Sequence, residues 1–244
     1  MVLAGAGELA TSQGYLDRAK EVCEEGLRLL LHEGREASEA KLCLLAFLGW
    51  VALEREEYEQ AKELYEKGLA LSRQMRDTWW LATSLSKVAV VSHSLGDYEK
   101  ATELYEESMD LFRVQGDRRR LATCLNNLAM VMCSQGELGR AAQLTEESVA
   151  LLRKLGARGD VSIGLCNLRW IALLQDDLSR AADHYTESLS LSWDTGVNPV
   201  VQSALEGRLR GWSKGRSGTG RTAVGSGAEL TRDKGYSKRR RLPR

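Results

Sequence analysis

Residues 80–115 read WLATSLSKVAVVSHSLGDYEKATELYEESMDLFRVQ. Leu81, Leu85, Val88, Ala89 and Ser92 recur at spacings of three and four, which is one face of a helix. Gly96-Asp97 interrupts the run as a turn signal. A second periodic run then carries Ala101, Leu104, Tyr105, Ser108, Met109, Leu111 and Phe112, and it stops before Gly116-Asp117. The stretch predicts two helices joined by a turn. Neither could bury its apolar stripe alone.

The pattern repeats every 40 residues. Ala61, Ala101, Ala141 and Ala181 fall at that interval, as do Leu45, Leu85, Leu125 and Leu165. Leu48, Val88, Leu128 and Leu168 follow the same spacing. A fixed period over four copies predicts stacked helical hairpins with one continuous core. An incomplete first copy precedes them, with Leu3, Ala6, Gly7, Ala19, Cys23 and Gly26.

Small residues stand where two helix backbones must approach. The second copy has Leu45, Leu48, Gly49 and Ala52, then Ala61, Tyr65 and Gly68. The third has Leu85, Val88, Ala89 and Ser92, then Ala101, Tyr105 and Ser108. The fourth has Leu125, Leu128, Ala129 and Met132, then Ala141, Thr145 and Ser148. The fifth has Leu165, Leu168, Arg169 and Ala172, then Ala181, Tyr185 and Ser188. This series resembles the tetratricopeptide repeat over about residues 2–196. The resemblance implies an all-α, right-handed α-solenoid of about five antiparallel helix pairs.

Three departures stand out. The usual repeat has 34 residues, so six more per copy add roughly 9 Å of helix. The family's Pro near the end of the second helix is replaced by Arg73, Arg113 and Arg153. Arg169 stands where the other copies have Gly or Ala, so either its stem snorkels out of the crossing or the fifth repeat opens. The long copies, with Asn126-Asn127-Leu128-Ala129 and Gly136-Glu137-Leu138, look like repeats in the sensor regions of large bacterial ATPase and LuxR-type regulators.

Charge divides the chain. Residues 207–244 hold 12 Lys and Arg against Glu229 and Asp233, and eight glycines; the +10 there offsets −10 elsewhere. The expected domains are therefore a solenoid over 1–205, with a truncated sixth repeat, and a basic Gly/Arg-rich tail over 206–244. The sixth copy begins with Val201 and Leu205 and fails at Arg208 and Arg221. Three readings of the tail stay open: a disordered solvated end, nucleic-acid binding through Lys238-Arg239-Arg240-Arg241, or a shifted reading frame. The opening MVLAGAGELA lacks the flank and apolar core of a signal peptide and enters in mid-helix, as a fragment or a late gene start would. No apolar run approaches the roughly 20 residues that span a bilayer. A cytoplasmic location is expected.

Residues that could do chemistry are sparse. Cys23, Cys43, Cys124, Cys133 and Cys166 are odd in number, form no CxxC pair and fall on apolar faces, as buried reduced thiols do. His32, His93 and His184 have no metal-ligand spacing, and His184 beside Asp183 is expected to face solvent. The recurring pairs Glu24-Glu25, Glu106-Glu107 and Glu146-Glu147 read as a solvated convex face. Neither metal nor cofactor is expected, and no enzyme.

What remains is a concave groove lined by the first helices. Carried over by register, it holds Ala46, Trp50, Thr83, Ser86, Val90, His93, Thr123, Asn126, Met130, Cys133, Cys166 and Trp170. The set lacks a Lys/Arg/Asn ladder for a peptide carboxylate, and it suits an apolar or weakly polar partner: a helix, an extended peptide or a small effector. Alternatively Trp50 and Trp170 complete the core. The functional expectation is a partner-binding sensor or scaffold region of a bacterial regulator; the alternatives are a free-standing adaptor and, third, a nucleic-acid binder acting through the tail.

Overall fold

The helix ends keep a 20-residue beat. Backbone with positive φ recurs at Glu56, Arg76, Gly96, Gly116, Gly136, Gly156 and Asp176. Each of these residues stops one helix in the left-handed conformation, and the residue after it stands at the start of the next. Asp77, Asp97, Asp117 and Asp177 accept hydrogen bonds from backbone N–H groups of the first turn that follows, at 3.0–3.2 Å. The next N–H closes back on the helix just ended, as from Asp97 to the Ser92 carbonyl and from Asp117 to the Phe112 carbonyl. One residue thus turns the chain and the next restarts it. Each helix of a pair, with its turn, therefore spans 20 residues of the 40.

The computed structural model describes residues 16–30 and 35–195. The helices are α1 (Leu16–Leu29), α2 (Arg35–Glu54), α3 (Tyr58–Met75), α4 (Thr78–Ser94), α5 (Tyr98–Gln115), α6 (Arg118–Gln135), α7 (Leu138–Lys154), α8 (Arg158–Leu174) and α9 (Leu178–Thr195). All regular structure among the described residues is helical. Four complete pairs, α2/α3 to α8/α9, follow α1, the second helix of the incomplete first copy. By contacts the chain divides into Met1–Asn198 and Pro199–Arg244. The second unit, the expected boundary at 205/206 and the first copy's opening helix lie outside the described residues.

Each helix packs on its chain neighbours, and contacts between helices two apart join α2 to α4, α4 to α6 and α6 to α8. The chain is therefore an α-solenoid whose first helices meet along one side. The core runs between the layers. Ala61, Ala101 and Ala141 are fully buried, with Leu85, Leu125 and Leu165 beside them. In α5 and α7 the small residue does more than save space. The hydroxyl of Ser108 donates to the Ala82 carbonyl at 2.8 Å, and that of Ser148 to the Ala122 carbonyl at 2.7 Å. Each bond ties a second helix to the first helix of its own pair. Gly49 is small for a different reason: a Cβ there would collide with the Tyr65 ring.

Arg169 takes the equivalent place in the fifth copy. Its guanidinium lies 5.2 Å from the Tyr185 ring centroid. Tyr185 is 42% exposed, whereas Tyr65 and Tyr105 are buried. The α8/α9 pair stays closed around Arg169, and the two helices pack on each other as the earlier pairs do. Arg73, Arg113 and Arg153 are exposed near the ends of their helices, which continue past the place of the family's Pro. His184 departs from expectation: it is half-buried, and its Nε2 is enclosed without a hydrogen-bond partner.

Candidate functional site

The inner side of the solenoid is built by α2, α4, α6 and α8. Trp50, Val90, Met130 and Trp170 occupy one position on the four helices, 40 residues apart, and all four are half-buried. Two residues before each, Leu48, Val88, Leu128 and Leu168 are buried in the core. The 100° turn per residue explains the difference: one set faces the second helices and the other lies at the edge of the inner face. Trp50 leans on Phe47, with ring centroids 5.5 Å apart. The Trp170 indole N–H is enclosed without an acceptor.

A polar row runs beside this apolar row. Asn167 donates from Nδ2 to Oδ1 of Asn126 at 3.0 Å, joining α8 to α6. His93 Nε2 and Ser134 Oγ lie 2.7 Å apart, joining α4 to α6. Burial lowers the His93 pKa to about 4, which keeps the ring neutral at neutral pH. Ser86 donates to the Thr83 carbonyl and Thr123 to the Arg119 carbonyl. At the helix starts, Arg119 pairs with Asp160 at 2.7 Å. There too the Trp79 indole donates to Asp117 at 3.2 Å, with Arg120 over its ring.

Of the expected groove residues, the structure brings Trp50, Ser86, Val90, His93, Asn126, Met130 and Trp170 to the inner edge, half-buried, with Ala46 beside them. Thr123 is exposed. Cys133 is fully buried and Cys166 nearly so, and the Cys166 thiol points to the Ser188 hydroxyl at 3.7 Å. Thr83 is also buried, with its hydroxyl enclosed. Each of the three shares its register with a residue 40 positions away that is less buried, namely Thr123, His93 and Asn126, so local packing and not helical register sets their burial. Sequence reading missed Ser134, Asn167 and Asp160. A signal was available, since each bonds to a residue 41 positions earlier: His93, Asn126 and Arg119. The stack places residue i beside i+41 rather than i+40.

The outer side carries a second ladder. Lys100 faces Glu66, Arg140 faces Glu106 and Arg180 faces Glu146, at 3.6, 3.8 and 2.9 Å. The recurring carboxylates are therefore partners of the next repeat's cations. Burial pushes the Cys23 and Cys124 thiols up to about 11, far from a reactive thiolate. Among the described residues, no three His, Cys, Asp or Glu side chains are grouped to hold a metal ion, and no helix is long and apolar enough to cross a membrane. A cavity of about 150 Å³ beside α1 is lined by Leu27, Leu48, Val51 and Leu64, below the roughly 300–1,000 Å³ of small-molecule sites.

Profiles of the tetratricopeptide repeat match residues 44–75 and 80–154. No curated protein matches the sequence significantly. Among solved structures, BtubC (BKLC) from P. vanneervenii is similar, at 19% identity over 80% of each chain with a TM-score of 0.65. A kinesin-light-chain-like protein of Podosopora anserina with nearly identical TPR-like repeats shares 15% identity over 81% of this chain and 96% of its own, with a TM-score of 0.62. The apo form of RapI shares 13% over 80% and 84%, with a TM-score of 0.61. At these identities the likeness is one of fold.

Proposed function

We propose, from the tetratricopeptide repeats matched over residues 44–75 and 80–154, that the chain binds a protein or peptide along its inner face and does no chemistry on it. One observation carries the reading. Trp50, Val90, Met130 and Trp170 form a half-buried apolar row across four consecutive first helices, an arrangement that fits the apolar side of a helix or extended peptide. The polar row of Ser86, Asn126, Asn167 and His93 supplies the hydrogen bonds that would set its direction. A partner of low charge fits this face. The finer reading is a sensor or scaffold region of a bacterial regulator in a reducing cytoplasm, or in its place a free-standing adaptor. It rests on the long repeat and on five cysteines outside any disulfide, four of them buried.

Selection of displayed random peptides against the full chain tests the proposal. Selected peptides should be weakened at least tenfold by Met130→Asp and by Trp170→Ala, with helicity retained. Peptides that bind both variants as tightly as the parent chain would falsify the inner-face assignment. The coding sequence on either side separates the two finer readings: a nucleotide-binding or helix-turn-helix module supports the regulator.

A further inference from the structure

The turns fall on two edges of the solenoid, because each reverses the chain between packed helices. Turns from one pair to the next stand at 76–77, 116–117 and 156–157, and turns within a pair at 56–57, 96–97, 136–137 and 176–177. The two edges carry opposite charge. Residues 73–80, 113–120 and 153–160 hold nine Lys and Arg against Asp77, Asp117 and Asp160. The equivalent stretches on the other edge, 53–60, 93–100, 133–140 and 173–180, hold nine Asp and Glu against four Lys and Arg.

The cations keep the period of the repeat. Arg73, Arg113 and Arg153 share one register in the last turns of α3, α5 and α7. Arg118 and Arg158 share another as the first residues of α6 and α8. All five are exposed. Folding accounts for the first set, since the end of a helix favours a cation. It does not account for the second. Helix α6 opens with Arg118-Arg119-Arg120, three like charges at the positive end of a helix, where an acid is the stabilising residue. An exposed stretch that works against its own helix is a signature of binding.

Nearby carboxylates orient several of these groups. Asp110 accepts from Arg113, Asp160 from Arg119 and Glu187 from Arg153, and Arg120 lies over the Trp79 ring. A guanidinium carries several N–H donors, so one such bond leaves others for a ligand. Among the described residues, Arg73, Arg76, Arg118 and Lys154 enter no ion pair.

We propose that this edge binds an acidic segment of a partner protein, whose Asp and Glu side chains meet the arginines of successive repeats. The guanidinium fork matches a carboxylate with paired N–H bonds. Asp77, Asp117 and Asp160 stand among the cations, and they decide against a nucleic acid. A duplex, with one charge about every 1.7 Å along its axis, would lay phosphates across those carboxylates. A polypeptide can set an acid beside each arginine and a neutral residue beside each aspartate. The chain has no such segment to offer itself: outside the described residues its acids are Glu8, Glu33, Glu206, Glu229 and Asp233, all far apart in sequence. This surface does not depend on the inner-face reading.

The probe is a fluorescein-labelled deca-glutamate peptide, titrated with the full chain at low salt, and it should give a saturable rise in anisotropy. Arg73→Glu, Arg118→Glu and Lys154→Glu together should weaken binding at least tenfold, with circular dichroism unchanged. The same charge reversal in the C-terminal basic cluster, Arg239→Glu, Arg240→Glu and Arg241→Glu, should weaken it less. Arg118→Glu alone should weaken binding yet raise the Tm, because an acid suits the start of α6. No binding, or a larger loss in the cluster variant than in the edge variant, overturns the proposal. So does a labelled oligothymidylate whose binding the edge variant reduces more than that of the peptide. A dimer of the chain alone that the edge variant dissolves also overturns it, because the occupant would then be a second copy.

Discussion

Gly68 and Gly49 are both glycines in helix interiors, yet they ask for opposite treatment. Gly68 stands where the third and fourth copies have Ser108 and Ser148, whose hydroxyls bond across the pair. A Cβ at Gly68 would meet only the Leu42 side chain, at an ordinary 3.8 Å. Gly68→Ser should therefore stabilise by about 0.5–1.5 kcal/mol, through one hydrogen bond and the lost flexibility of glycine. Gly49→Ala should destabilise by about 1–3 kcal/mol by driving a methyl into the Tyr65 ring. Urea melts of the two variants should move in opposite directions; a stabilised Gly49→Ala would refute the crossing described here. His93 gives a pH dependence. Its folded pKa of about 4 lies below the ordinary 6.5, so the unfolded chain takes up the proton first. Stability from this residue is full above pH 6.5 and is lost as pH falls toward 4, by about 1–3 kcal/mol. Thermal melts across that window should show a smaller fall for His93→Gln, and identical slopes would contradict the role assigned to the ring.

At the level of the helix, the 20-residue beat explains which boundaries are strong. Gly116 takes positive φ without a Cβ penalty, whereas Arg76 takes φ of 53° with one. Asp117 caps α6 with its side chain, whereas Ala157 begins α8 without a side-chain cap. Ala157→Asp should add about 0.5–2 kcal/mol by capping α8. A Tm that stays put or falls would mean the start of α8 is held in another way. These boundaries were legible in the sequence wherever Gly-Asp marked them, at 96–97 and 116–117. They were not legible at Glu56 and Arg76, because the chain takes positive φ there on exposed residues with no glycine to mark the place. The core was read correctly from period 40. The inner edge was read only in part, since side chains of one helix meet the next with an offset of one residue, as at His93–Ser134 and Asn126–Asn167.

For the molecule as a whole, cohesion is local. Every helix leans on its chain neighbours, so stability is a sum over pairs and their interfaces. The outer ion pairs add little individually, about 0–1 kcal/mol each for exposed groups. Amide exchange should be slowest in α5, α6 and α7, which are covered on both sides, and faster in α9, where Tyr185 and Leu189 are partly exposed. Uniform protection from α2 to α9 would instead point to a single cooperative block. The seven turns share one construction, and this makes the chain behave like a ruler with interchangeable segments. Cutting out residues 97–136 would join Gly96 to Glu137, two positions that already follow one another in kind. Helix α4 would then pair with α7, and the Ser148 hydroxyl would find the Ala82 carbonyl that Ser108 now holds. Nothing in the remaining joints would register the loss, and a protein one notch shorter should still close its core. Lengthening by the same unit should be as quiet, so reach along a partner can change without any new fold being learned.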